Sequence, residues 1–518
     1  MIDSDGSPGS GRQRPLRKIV VGLIAGLAVL SAVLTIRASS YFFPSRQLTA
    51  PPVQLLVPRP GFAERLGRAL QFPTFITGPA EKADRASFVA LRNFLEAEFP
   101  AVHRTLEREI IAGHTLLYRW KGTDPSIEPV LLMSHLDVVP VESGTEKSWT
   151  HPPFSGQVTD GFIWGRGALD VKCGALGLLE ATDRLLENGF QPAGDVYLAF
   201  GHDEETAGEG NRQAARILKE RGIHFRFVLD EGGSLTEGII DGVSGPVAFI
   251  GIAEKGYATI RLVALAEGGH SSTPPPHTAV GMVAAAVAKL ESNRFPARID
   301  GASAAMFDFL GPEMPWSRRV ALANRWLIGG LIVKQLAKKP LLNALIRTTT
   351  AATVIRGGET ANVLPKRAEA IVNVRLLPGD TSDEALWRVE AEVKRLGFDP
   401  TTFTCELDKG STEATPVSSI DSDGFRTLQR TITEVYPGAI VTPGLSMVAT
   451  DSRSYLPIAS DIYRFLPLRI TSDDMKRIHG VDERIGIKTY EEMIGFLARL
   501  IENLSAGTLG NSYDQEQG

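Results

Sequence analysis

The stretch from Val130 to Asp170 constrains this chain most. Its apolar run PVLLMSHLDVVP stops at His135-Leu136-Asp137, and a second short run, IWGRGALD, stops at Asp170. Later runs repeat the pattern. VYLAF leads into Gly201-His202-Asp203-Glu204-Glu205, FRFVL into Asp230-Glu231-Gly232-Gly233, and IYRFLPL into a loop carrying His479-Gly480. Such runs, alternating with helical patterns, predict the buried strands of a mainly parallel sheet with helices on both faces. In open α/β sheets the ligand crevice lies outside the carboxyl ends of the strands. Imidazoles and carboxylates gathered there are ordinary zinc ligands. His135, His479, Asp170, Glu204, Glu205 and Asp230 suit a pair of divalent cations, one carboxylate bridging and one left free as a base. Taken singly, each signal is weak: Glu204-Glu205 can be a solvated loop, Asp230 an N-cap, and His479 a surface residue. What points to a site is their recurrence at the ends of apolar runs.

The motifs MSHLDVVP, GRGALDVKCG, AFGHDEETAG, the Asp230 strand end, GGHSSTPP, ETANVLP and RIHGVDE follow one another in the order and spacing of the M20 metallopeptidases. From about Arg59 to Leu504 the chain resembles that family, and within it the branch of carboxypeptidase S and the N-fatty-acyl-amino-acid hydrolase/synthases. The resemblance implies a fold of the di-zinc exopeptidase type with an inserted lid. It implies that His135 and Asp230 bind one metal ion, Glu205 and His479 bind the other, and Asp170 bridges them. It further implies Glu204 as general base and Asp137 as the group that orients the His135 imidazole. On the lid, His270 would hydrogen-bond the substrate carbonyl, and Asn362 and Arg375 would hold the substrate's free carboxylate. In dimeric members the lid histidine reaches across from the partner subunit, which leaves room for a homodimer through the lid. One departure is SMVATDSR around Thr450-Asp451, where many members show a Gly-Gly-Thr-Asp run.

Along the chain, residues 1–18 read as a disordered cytoplasmic tail, 19–36 as a transmembrane signal anchor and 37–60 as a linker. Ile19 to Ile36 is an uncharged run of about 18 residues, nearly enough at about 1.5 Å each to cross a hydrocarbon core of about 30 Å. It is longer than a signal-peptide core of about 7 to 15 residues. Arg12, Arg14, Arg17 and Lys18 outnumber Arg37 on the other side, which predicts a single-pass protein with its catalytic domain extracytoplasmic. Residues 61–255 and 378–505 read as two parts of the catalytic domain. Between them, 256–377 reads as an α+β lid or dimerisation domain, with YATIRLVALAE and RAEAIVNVRLL as half-exposed strands and GMVAAAVAKLE as a helix. Its segment 295–347 is a helical insertion expected to pack on the lid. The sharper alternative is that NRWLIGGLIVKQL shapes an acyl pocket or touches the bilayer. Residues 506–518 read as a disordered tail.

A net charge of −5 over 518 residues, without a clustered basic face, gives no reason to expect a nucleic-acid partner. Two cysteines, Cys173 and Cys405, make no disulfide framework. No G-x-S-x-G elbow supports a serine hydrolase. The expectation is a membrane-anchored di-metal amidohydrolase or carboxypeptidase, zinc by default, cleaving the amide next to a C-terminal amino acid in peptides or N-acyl amino acids. Alternatives are an N-fatty-acyl-amino-acid synthase/hydrolase as the main role and a small-acyl deacylase of the acetylornithine or succinyl-diaminopimelate type, which the anchor disfavours. From a different class comes an inactive scaffold, which the intact ligand set disfavours.

Overall fold

The apolar segments of the first half become strands β1 Glu107–Ile111, β2 Thr115–Trp120, β3 Val130–His135, β4 Val196–Gly201, β5 Phe227–Asp230, β6 Leu235–Thr236 and β7 Val247–Glu254 in a computed structural model that describes residues 13–76, 85–243 and 245–505. A separate four-stranded sheet follows, made of β8 Gly256–Leu265, β9 Thr349–Gly357, β10 Arg367–Leu376 and β11 Phe403–Leu407. The chain then returns to the first sheet with β12 Ile440–Ser446, β13 Ile462–Arg464 and β14 Arg469–Ile470. That ten-stranded sheet runs β1-β2-β4-β3-β5-β13-β7-β6-β14, with β12 paired to β7. Its centre, β4-β3-β5-β13, is parallel, and the β1–β2 hairpin makes an antiparallel edge. The architecture is therefore the mixed α/β one expected, with a mostly parallel main sheet.

Helix α1 spans Gln13–Arg37, α2 Lys172–Glu187 and α3 Glu209–Glu220. The period of two along the central strands feeds two cores. Val130, Leu132, Leu198, Phe200, Phe227 and Leu229 pack on the face covered by α2 and by the helices Asp423–Val435 and Ile487–Ser505. Leu131, Met133, Tyr197, Ala199 and Val228 face the opposite way, against Ala214, Ala215 and Leu218 of α3. Strands buried on both faces read as continuous apolar runs, which is why these segments stood out. Helix α2 ends where Gly189 takes a left-handed φ of +73°, as glycine past a C-terminus does.

Beyond the main sheet, the structure departs from the expected boundaries. Helices α4 Ala279–Ser292, α5 Gly301–Leu310, α6 Trp316–Ala323, α7 Arg325–Leu336 and α8 Ser382–Lys394 complete the inserted region. Ala385 and Val389 of α8 share one core with Val283 and Ala286 of α4 and with Ile260 and Val372 of the small sheet. The small α+β unit thus runs past residue 377 through β11. Pro378-Gly379 breaks the chain there without returning it to the main sheet. Of the segment 295–347, expected to pack on that unit, Phe295 does so, but the helix that follows does not. Met306, Phe307, Phe309 and Leu310 of α5 join the core of the main sheet, beside Val441 and Leu445 of β12, and the Phe309 ring meets Phe425 edge-on at 5.8 Å. Residues 13–18, expected in a tail, open helix α1. The tails expected at 1–12 and 506–518 lie outside the described residues.

One buried ion pair ties the return of the chain to β7. Arg464 on β13 sends Nε to Glu254 Oε1 at 2.8 Å, and that oxygen also accepts from Thr450 N at 3.0 Å and Thr450 Oγ1 at 2.6 Å. Both charged side chains are buried, and removing one partner of a buried pair costs about 3–5 kcal/mol because the other is left uncompensated. Arg464→Met is therefore expected to lower the unfolding free energy by about 3 kcal/mol in urea denaturation. A loss below about 1 kcal/mol would mean that Thr450 together with Arg453, whose Nε lies 3.6 Å from Glu254 Oε2, satisfies Glu254.

Candidate metal centre

Strands β3 and β4 are parallel and pair at His135 and Gly201, so His135, Glu204 and Glu205 emerge at one rim. His135 Nε2 lies 3.1 Å from Asp170 Oδ1 and 3.1 Å from Glu231 Oε1. His479 Nε2 lies 2.9 Å from Asp170 Oδ2 and 3.0 Å from Glu205 Oε1. Asp170 thus offers one oxygen to each imidazole, as a bridging carboxylate does. The ligand atoms of His135, Glu204 and Glu205 also lie within 4.8 Å of one another. Two imidazoles and four carboxylates converging in this way have the composition of a divalent-metal donor set.

The charges show what such a rim lacks. Burial pushes Glu204 up to about 10; His135 opposes this, while Glu231, Asp451 and Glu205 add to it. Burial likewise lifts Glu231 to about 7, against the pull of His135. Asp170 is held well below the usual carboxylate range because His135 and His479 outweigh its burial. Burial disfavours the charged form of His135, but Glu231, Asp137 and Asp170 raise it well above its ordinary value. The Asp170 and Glu205 carboxylates raise His479 to about 10. In the bare protein, then, protons supply the positive charge that the carboxylates demand.

Backbone amides hold this arrangement. Asp137 Oδ1 accepts from Glu204 N at 3.3 Å and Oδ2 from Glu205 N at 3.1 Å, while its carbonyl oxygen lies 3.0 Å from His135 Nδ1. Asp137 therefore touches both the imidazole and the backbone of the paired glutamates. Asp203 caps α3, accepting from Glu209 N at 2.7 Å and Gly210 N at 3.0 Å. Asp170 was expected at a strand end, but the nearby strand Phe162–Trp164 belongs to a separate small sheet with Arg484–Gly486. The Asp170 loop is shaped instead by Glu483, a residue that the sequence reading did not single out. Glu483 Oε1 accepts from Gly167 N (3.0 Å), Leu169 N (2.8 Å) and Asp170 N (3.1 Å), and Oε2 accepts from Arg166 at 2.6 Å. Arg166 also donates to the His479 carbonyl at 3.1 Å, so one buried pair fixes the backbone of both Asp170 and His479. Its only sequence trace is the acidic end of RIHGVDE.

Asp230 was expected as a ligand, but at the rim it is Glu231 that groups with His135 and Asp170. Asp230 Oδ1 accepts from Glu231 N at 2.9 Å and Oδ2 from Ser452 N at 2.9 Å. Its carboxylate is thus committed to the backbone of the loop after Thr450, and the next side chain turns to the rim. That loop carries the SMVATDSR departure. Thr450 hangs on Glu254, and Asp451 Oδ2 accepts from Asn211 Nδ2 at 2.5 Å. The lid residues lie elsewhere. His270 is exposed, with Nδ1 2.7 Å from Ser272 Oγ, and pairs with Val363; the Asn362 carbonyl accepts from Ser271 N at 3.1 Å. Arg375 stacks over the Tyr257 ring at 4.8 Å. Among the described residues, no hydrogen bond or ion pair joins these three to the rim.

A sequence model of peptidase family M20/M25/M40 matches residues 131–503. Probable carboxypeptidase S-like 2 of Dictyostelium discoideum is 38% identical over 505 residues, 94% of either chain. Human N-fatty-acyl-amino acid synthase/hydrolase PM20D1 is 36% identical over 458 residues, 86% of this chain and 88% of its own. Carboxypeptidase S of Saccharomyces cerevisiae is 31% identical over 490 residues, 85% of this chain and 84% of its own. Among solved structures, the M20 family metallo-carboxypeptidase Sso-CP2 from Sulfolobus solfataricus shares the fold, with a TM-score of 0.62 at 19% identity over 86% of this chain and 100% of that one. Human carnosine dipeptidase 1 does so with a TM-score of 0.58 at 15% identity, over 86% and 96%.

Two outcomes follow from the rim. Glu231→Gln is expected to lower the metal retained per chain after dialysis, read by elemental mass spectrometry, while Asp230→Asn keeps the metal and costs about 1–3 kcal/mol of stability through a lost loop bond. The reverse result would return the ligand role to Asp230. With chelator present, Glu231, Glu204 and His479 all have folded pKa values above their unfolded ones. The folded chain then holds more protons than the unfolded chain, and stability falls as pH rises. The melting-temperature gap between metal-loaded and chelated protein should accordingly widen from about pH 6 to about pH 8; a constant gap would sink this account.

Proposed function

The chain belongs to peptidase family M20/M25/M40, a metal-dependent family of hydrolases acting on amide bonds, and from that premise we propose that it holds two zinc ions and cleaves the amide next to a C-terminal amino acid in peptides or N-acyl amino acids. The observation that carries the reading is Asp170, set between His135 and His479 with one oxygen toward each. His135, Asp170 and Glu231 would hold one ion, and Asp170, Glu205 and His479 the other. Bound there, such a pair would supply Lewis acidity that makes a water a stronger acid near neutral pH.

The chain's own residues do the rest. Glu204 stands beside His135 and Glu205 without serving as the bridge. It would take the proton from the water and deliver it to the leaving amine. Asp137 engages the Nδ1 side of His135 and so aims Nε2 at the rim. His270 would polarise the substrate carbonyl, and Asn362 and Arg375 would hold the free carboxylate, the latter as a planar fork. In this reading they act once the lid, or a second subunit's lid in a homodimer, approaches the rim. The same reading makes the chain a single-pass membrane protein with its catalytic body extracytoplasmic. The support is helix α1, whose Arg17–Arg37 portion is long and apolar enough to cross a membrane and has its apolar side chains exposed.

Full-length protein in detergent, assayed by mass spectrometry against dipeptides and N-acyl amino acids, tests the activity. Wild type is expected to release free amino acids and chelation to abolish release. Glu204→Ala should keep its metal while losing about 10²–10⁴-fold in kcat. Release from dipeptides alone indicates a carboxypeptidase, and release from long-acyl substrates alone indicates a fatty-acyl hydrolase. A metal-loaded protein that cuts nothing would defeat the substrate class while leaving the site intact.

A further inference from the structure

Helix α1 does not stand clear of the body. Its last turn is gripped by the corner between α6 and α7. Asn324 Nδ2 donates to the Leu34 carbonyl at 3.0 Å, Arg319 Nε to the Ala38 carbonyl at 2.7 Å, and Arg319 Nη2 to the Phe43 carbonyl at 2.8 Å. The Arg37 guanidinium carbon lies 5.7 Å from the centre of the Trp326 ring. Asn324 and Ala38 are buried in this contact, whereas the apolar run before it is bare, with Leu23 63% and Leu27 65% exposed.

Helix α7, RWLIGGLIVKQL, then presents a second bare apolar surface. Not one of its residues is buried. Ile332, Val333 and Leu336 rest against the core of the main sheet, while Trp326 is 61% and Leu331 57% exposed and Leu327 is exposed beside them. Trp326, Leu327, Gly330, Leu331 and Lys334 recur at helical spacing and form one outward face. Trp316 at the start of α6, Leu341 shortly after α7, and Tyr41 and Phe42 just after α1 are exposed as well. An exposed apolar helix face of this kind marks an interaction site.

Position says what covers it. Leu34 and Arg37 lie at the end of the apolar run, so their contacts fix Trp326 at the depth where a spanning helix leaves the hydrocarbon. Tryptophan and tyrosine collect at that level, and a helix with one apolar face and flanking lysines lies in the headgroup–acyl boundary. Lys334 and Lys338 are exposed on and just beyond the outward face. We propose that α7 and its flanks are a bilayer-seating surface, with Trp326, Leu327 and Leu331 inserted in the leaflet from which α1 emerges. The proposal rests on the reading of α1 as an anchor, and it docks the catalytic body against lipid at a second point.

The test uses full-length protein in phosphatidylcholine–phosphatidylglycerol liposomes, with and without bromine on the acyl chains, since brominated chains quench an indole that touches them. Part of the tryptophan emission is expected to be quenched. Trp326→Phe should remove at least half of the quenched component, the double variant L327E/L331E should reduce it at least twofold, and Trp387→Phe, on the exposed surface of α8, should leave it unchanged. Extraction with alkaline carbonate reports separately on α1. Protein that resists extraction, with quenching indifferent to Trp326→Phe, would overturn the proposal and leave the anchor standing. Protein that is stripped by carbonate yet quenched through Trp326 beforehand would keep the seating surface and refute the anchor; loss of both signals refutes both. A detergent-stable dimer dissociated by Leu331→Glu, without quenching, would assign the face to a second copy of the chain and overturn the proposal.

Discussion

Four carboxylates crowd two imidazoles on one rim, and the repulsion among them is the constraint around which the rest is arranged. Without added positive charge the rim can persist only by binding protons, and Glu204 and Glu231 are raised well into the range where carboxyls keep them. Nothing in the packing of the sheet would require so costly an arrangement. The parallel centre of the sheet brings β3, β4 and β5 to one edge, and Asp137 then uses backbone amides to hold two glutamates side by side. The geometry has the form of a receptacle for cations, with its walls kept in place by groups that do not themselves face the centre.

Much of this was legible in the amino-acid order. Continuous apolar runs mark strands buried on both faces, and the side chains at which they stop, His135 and Glu204-Glu205, stand together in the structure. The adjacent Asp230 and Glu231 could not be separated by such reasoning. Both are acidic and both follow the same strand, and what distinguishes them is the Ser452 amide, which captures Asp230 from more than two hundred positions away. Glu483 was illegible for a similar reason. Its partners, Arg166 and the amides of Gly167, Leu169 and Asp170, belong to another part of the chain, and a contact of that separation leaves no periodic trace.

The inserted region shows the same limit at a larger scale. Strands β8 and β10 alternate visibly, but whether a following helix joins them or the main sheet depends on which apolar surface remains open. Helix α8 completes the small sheet's core, whereas α5 found its place against β12. Helical periodicity specifies that a face must be covered without naming the partner. The stretch around Trp326 is the extreme case, since one of its faces is covered by protein and the other is not.

The Arg166–Glu483 clamp carries a consequence for how the molecule comes into being. Asp170 donates its backbone N–H to the carboxylate of a residue 313 positions later, and the His479 carbonyl is fixed by the same pair. Domains form as units during synthesis, beginning at the N-terminus. Here the segment bearing His135, Asp170, Glu204, Glu205 and Glu231 leaves the ribosome long before its clamp exists. The acidic rim is therefore not closed until almost the whole polypeptide has been translated, and the last fifth of the protein, which also brings β13 into the centre of the sheet, completes scaffold and site together.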